Sequence, residues 1–147
     1  MALLKLRPSY KDYLWGGHRL VEKYNKEFDG DILAESWELS CHPDGPSYVV
    51  NGSYAGKTLQ EYIDLEWEKK YWEITVRNLK NFLFWLNLLM RRIIFPFRYI
   101  LIMNTLCKNE GQYGKTEMWY IMDCEEGAFL YYGFKKEVSK EEIRRKN

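Results

Sequence analysis

A chain of 147 residues has room for one domain with a hydrophobic core and is too short for two of ordinary size. Apolar residues make up 46% and charged residues 29%, which excludes a disordered chain, and a 17% aromatic share with six Trp and twelve Tyr favours a β-rich domain. Twenty-two basic residues against twenty-one acidic ones leave no overall field to hold nucleic acid or an anionic membrane, so neither is expected as a partner.

In chain order, Leu3, Leu4 and Leu6 lead into Pro8, and Tyr13-Leu14-Trp15 ends at Gly16-Gly17. Ile32 to Leu39 reads as a strand. His42-Pro43-Asp44-Gly45-Pro46 has the residues of a tight turn: Pro fixes φ, Asp bonds back to the backbone, and Gly tolerates positive φ. Gly52 and Gly56 flank another turn, and Thr58 opens a short helix as N-cap with Glu61 three residues on. Later, Met118 to Met122 and Ala128 to Phe134 read as two strands joined by the turn from Asp123 to Gly127. Ser139-Lys140-Glu141-Glu142 opens a last helix that has run barely two turns at Asn147, which suggests a domain truncated at its C-terminus.

Cys41, Cys107 and Cys124 are scattered and form no CxxC pair, so neither a disulfide framework nor a cysteine zinc site is indicated. The N-terminus has no apolar stretch long enough for a signal peptide, and a reducing cytoplasm is the expected location.

The stretch from Trp67 to Cys107 differs in kind. FLFWLNLLM carries no charge, RR follows, and IIFPFRYILIM comes next. A transmembrane reading fails, because Arg91, Arg92 and Arg98 near a bilayer centre cost roughly 2.5–3.5 kcal/mol each. Pro96 and aromatic crowding argue against an interfacial helix. A buried core hairpin leaves the arginines awkwardly placed, and the period-2 alternation is poor.

ESWELSCHPDGPS, GQYGKTEMWYIMDCEEG and the opening Tyr13-Leu14-Trp15-Gly16-Gly17 together resemble the short bacterial type I mannose-6-phosphate isomerases. The likeness covers residues 3–66 and 108–145, and three motifs in the right order carry it. It implies a mainly β fold: one incomplete cupin-like jelly-roll domain over 1–147, with 67–107 an anomalous segment outside the family pattern. It further implies a zinc-dependent aldose–ketose isomerase that interconverts mannose 6-phosphate and fructose 6-phosphate through an enediol, using one zinc ion. Such chemistry needs a base near the migrating proton and positive charge near the developing oxyanion.

Where the family carries a Gln-x-His-Pro metal motif, this chain has Phe97-Arg98-Tyr99-Ile100. A shifted reading frame is one hypothesis. Joining the last base of each codon from Lys70 through Cys107 to the first two of the next forces Leu at Tyr71/Trp72 and Gly at Trp72/Glu73. It also forces Leu at Phe84/Trp85 and Glu at Met103/Asn104, and it permits Gln-Val-His-Pro with the His at the Tyr99/Ile100 junction. All four forced residues agree with family-like text. The gene's nucleotides test this, and a stop codon in the alternative frame would refute it.

Residue by residue, Glu117 in GKTEMWY matches the family's carboxylate metal ligand; without that context it is a solvent-facing strand residue. Lys115 is expected to share a strand face with Glu117 and matches a lysine of the sugar-phosphate site; otherwise it is a surface lysine. Trp15 and Glu35 match positions near the pocket and become substrate-binding candidates, although Trp15 reads better as packing. Cys41, His42 and Asp44 imitate a metal cluster, but a turn explains them better, and His18 reads as a surface histidine. No catalytic residue is assigned, because the family's second His and its catalytic arginine fall beyond Asn147. One carboxylate is too few for a zinc site, so the chain as it stands is expected to lack zinc affinity and isomerase activity. Two alternatives are a metal-free cupin-like module binding a sugar, and a membrane-surface or partner-binding protein using Phe82 to Met103.

Overall fold

The computed structural model describes residues 3–67, 85–92, 117–131, 133, 135–139 and 141–142. The chain forms two compact units, Met1–Phe97 and Arg98–Asn147. The first is mainly β. Its strands are β1 (Leu6–Arg7), β2 (Ser9–Lys11), β3 (Glu35–Leu39), β4 (Tyr48–Val49) and β5 (Leu86–Leu89), with helices α1 (Arg19–Tyr24) and α2 (Leu59–Trp67). Two antiparallel sheets result: β1 pairs with β4, and β2, β3 and β5 form a three-stranded sheet with β3 in the middle.

The expected strand from Ile32 is shorter than its apolar run, because residues before Glu35 pair elsewhere. Leu33 exchanges backbone bonds with Gly17 at 3.0 and 3.2 Å, and the Ala34 amide bonds the Lys11 carbonyl at 2.8 Å. Gly16 makes that crossing possible: a Cβ there would lie 2.6 Å from the Ala34 backbone, so a side chain has no room. β3 is irregular between Trp37 and Leu39. There the buried Ser47 hydroxyl reaches the Trp37 and Glu38 carbonyls at 3.1 and 3.2 Å and accepts the Ser40 amide at 3.0 Å. A bulge inside a sheet would otherwise strand backbone groups away from water.

The turn after β3 forms as the sequence predicts, with the Gly45 amide bonded to the His42 carbonyl at 3.0 Å. The reason for glycine differs from the expected one. Gly45 is absent from the positive-φ residues; a Cβ there would meet the Trp37 ring at 2.4 Å. Thr58 and Glu61 form the expected capping box, the Thr58 amide bonding Glu61 Oε2 at 2.7 Å and the Glu61 amide bonding Thr58 Oγ1 at 3.2 Å. The helix then buries Leu59 and Ile63 beside Leu33 and Val49 in the core.

β5 lies inside the segment that reads as anomalous. It pairs with β3 in the register Glu35↔Leu89, Ser36↔Leu88 and Trp37↔Asn87. The arginines after it are accommodated at the edge: Arg91 lies over the Trp15 ring at 5.5 Å, and the Arg92 amide bonds the Trp15 carbonyl at 2.9 Å. Residues 68–84 and 93–107 lie outside the described residues.

In the second unit the expected turn is present, with Ala128 bonded to Glu125 at 3.0 Å and Gly127 at φ 77°. The expected strand Met118 to Met122 forms no sheet ladder among the described residues, nor does the described part of Ala128 to Phe134; Tyr132 and Phe134 lie outside them. Alternation and β propensity are not sufficient for a strand, because a ladder also requires a neighbour to bond. Ser139 and Glu142 make the reciprocal cap bonds at 2.9 and 3.2 Å, as expected of a helix start.

Candidate functional site

β3 carries the polar centre of the first unit. Strand alternation puts Glu35 and Trp37 on one face with Lys11 and Asn87, and Ser36 and Glu38 on the other with Tyr10 and Leu88. Glu35 is 2% exposed. Its Oε2 accepts the Trp37 indole N–H at 2.6 Å and the Asn87 side-chain amide at 2.8 Å. A buried carboxylate needs such donors; the Trp37 bond lies within β3, and the Asn87 bond joins β3 to β5 through side chains as well as backbone.

Around Trp37 the packing is aromatic. Trp85 meets it edge-on at 4.3 Å, and His42 stacks on Trp85 at 6.0 Å and lies edge-on to Trp37 at 5.8 Å. Lys11 Nζ sits 4.6 Å from the Trp37 ring centre and donates to the Asp44 carbonyl at 2.6 Å, so the turn is tied down over the indole. His42 Nδ1 accepts the Asp44 amide at 3.2 Å. With that nitrogen acting as acceptor, the 3.7 Å approach of Asp44 Oδ2 is not an ion pair in the neutral imidazole. The Cys41, His42, Asp44 group thus serves the turn.

Trp15 is 5% exposed and stacks on Tyr13 at 5.5 Å and 23°, with Arg91 on it as described. His18 is exposed and precedes α1 without a side-chain cap bond. In the second unit Glu117 is half-buried, and its Oε2 accepts the Trp119 indole N–H at 3.2 Å. Lys115 lies outside the described residues. The structure therefore brings Trp15 and Glu35 into one unit and places Glu117 in the other. Among the described residues, no three His, Cys, Asp or Glu side chains converge as a metal site.

Two thiols differ sharply. Burial, with a smaller contribution from the Asp64 charge, pushes Cys41 up to about 11, whereas Cys124 is exposed. Burial and then the Glu38 charge raise Tyr10, and the Thr58 amide and hydroxyl lower Glu61.

Sequence reasoning missed Asn87, although it is the lone polar residue of FLFWLNLLM and that isolation was the available signal. It also left Trp37 and Arg91 without roles.

The fold defines a mainly β protein of two antiparallel sheets, and comparison with known proteins narrows the class. Residues 3–90 match the sequence profile of the phosphomannose isomerase type I catalytic domain, a range that runs past residue 66 and includes β5. The chain belongs to that family. It is 35% identical over 133 residues to the YvyI protein of Bacillus subtilis (strain 168), covering 87% of this chain and 40% of that protein. It is 32% identical over 136 residues to the mannose-6-phosphate isomerase of Streptococcus mutans serotype c, covering 89% of this chain and 40% of that protein. The crystal structure of the Bacillus subtilis mannose 6-phosphate isomerase shares the fold, with a TM-score of 0.71 and 33% identity over 87% of this chain and 40% of that one. The chain thus spans about 40% of the length of these relatives.

Proposed function

We propose that this chain carries part of the sugar-phosphate site of a cytoplasmic mannose-6-phosphate isomerase and does not isomerise the sugar by itself. The observation that carries this reading is the family match over residues 3–90 together with the shared fold at 33% identity. By the family resemblance, Trp15 and Lys115 are assigned to sugar-phosphate binding. Glu35 acts through others: with its Oε2 taken by Trp37 and Asn87, it positions β3 against β5. Glu117 is the residual metal carboxylate.

Zinc, the cofactor implied by the family resemblance, would orient sugar oxygens and stabilise oxyanion charge when bound. The residues present do not fit it: among the described residues no three His, Cys, Asp or Glu side chains converge and Glu117 is held by Trp119, and in the sequence Phe97 and Tyr99 stand where the resemblance places the Gln and His. No catalytic step is assigned through the ion in this chain.

The test is zinc content and turnover of purified, dialysed 147-residue chain. The expected result is zinc far below one ion per chain and no conversion of mannose 6-phosphate in a coupled assay. Stoichiometric zinc or measurable turnover refutes the proposal. In trans to the alternative, saturable mannose 6-phosphate binding that persists in chelator would establish a metal-free binding module instead.

A further inference from the structure

The opposite side of the β2–β3 sheet from Glu35 holds a second feature. Tyr10 pairs with Ser36 and so faces away from the Glu35 and Trp37 side chains. It opens onto a cleft of about 500 Å³ lined by Arg7, Pro8, Tyr10, Glu27, Asp29 and Tyr48. That volume falls within the roughly 300–1,000 Å³ of small-ligand clefts.

Both walls are fixed. On one, β1 and β4 pair Arg7 with Tyr48, and the Arg7 guanidinium lies 5.2 Å from the Tyr48 ring centre. On the other, residues 25–30 are held at three points. Asn25 closes α1 in the left-handed region at φ 51°. Lys26 Nζ bonds Glu38 Oε1 at 2.6 Å in a partly buried ion pair. Phe28 meets the Tyr10 ring edge-on at 5.6 Å. Glu27 and Asp29 are thereby presented to the cleft from a braced loop, which lowers the ordering cost of binding.

We infer that this cleft binds a neutral, unphosphorylated hexose, at a place separate from the Glu35 cluster. Two carboxylates oppose a phosphate, and the Arg7 guanidinium over the Tyr48 ring opposes a cation beside it. A polyhydroxylated ring satisfies both, donating hydroxyls to Glu27 and Asp29 and accepting from Arg7. The half-buried phenol rings of Tyr10 and Tyr48 supply apolar surface for its C–H groups.

The experiment is an NMR titration of the full chain with D-mannose, reading the Tyr10 and Tyr48 ring resonances, and a parallel titration with mannose 6-phosphate. Saturable shifts at both rings in the millimolar range are expected for D-mannose, with weaker effects from the phosphate ester. The Glu27→Gln/Asp29→Asn variant, which alters exposed residues and so leaves the fold intact by circular dichroism, should weaken binding about tenfold through loss of charged acceptors. No saturable shift with D-mannose, shifts unchanged in that variant, or preference for the phosphate ester overturns the inference. The outcome is independent of whether the isomerase reading stands, because zinc and turnover are not read.

Discussion

Truncating Glu35 to alanine offers the sharpest test of the β3–β5 clamp. The side chain is 2% exposed, and its Oε2 accepts bonds at 2.6 and 2.8 Å from Trp37 and Asn87. Glu35→Ala removes that acceptor, leaves two buried-side donors to find new partners, and opens a small void. Hydrogen bonds to a charged group contribute about 1.5–3 kcal/mol each, but water entering the void recovers part of that, so a net loss of about 2–4 kcal/mol follows. With a urea slope of about 1.5 kcal/mol per molar, the midpoint should fall by about 1.3–2.7 M. Trp37 emission should shift red as the strands separate. Glu35→Gln keeps the shape and one acceptor oxygen, and should lose no more than about half as much. A change within about 0.5 kcal/mol for Glu35→Ala, the range of ordinary surface positions, would refute the clamp.

Three further outcomes follow from the packing and the caps. Gly45→Ala drives a Cβ to within 2.4 Å of the Trp37 ring and should cost about 1–3 kcal/mol by urea denaturation, with disturbed indole emission. Thr58→Ala removes the N-cap of α2 and should cost about 1 kcal/mol at neutral pH. Glu61 is held below its ordinary value of 4.5 by Thr58, so its share of stability is complete above that pH and is lost as pH falls through the lower folded value. The gap between wild type and Thr58→Ala should therefore narrow in acid. Finally, iodoacetamide at pH 8 should modify exposed Cys124 well before Cys41, whose thiol is raised to about 11, as peptide mass mapping would show.

The sequence was most legible where local chemistry decides the structure. The turn from His42 to Gly45 and the Thr58–Glu61 box needed only neighbouring residues, and both are present. It was less legible where a distant partner decides. Nothing local to Glu35 announces Asn87, which lies 52 residues away and reaches it only through the β3–β5 register. The same limit explains the runs around Gly127, whose alternation suggests strands but whose pairing depends on neighbours. Gly45 shows a subtler gap, since glycine was foreseen there for backbone freedom and is required by the Trp37 ring.

β5 carries the general consequence. It falls inside 67–107, the family profile reaches residue 90, and Leu86–Leu89 pairs with β3. A ladder bonds through the backbone, which is blind to side-chain identity, and asks of its side chains only that apolar ones fall on covered faces. Leu88 and Leu89 meet that demand opposite Ser36 and Glu35. Metal chemistry is not so tolerant, because an ion needs particular donor atoms at particular positions, and Phe97 and Tyr99 offer no substitutes for an amide oxygen and an imidazole. Many sequences are therefore compatible with a strand at β5, whereas few are compatible with a zinc ligand. Exchanging one β-forming residue for another in β5 is expected to change little, whereas Phe97→Gln together with Tyr99→His is expected to raise the zinc content of the dialysed chain.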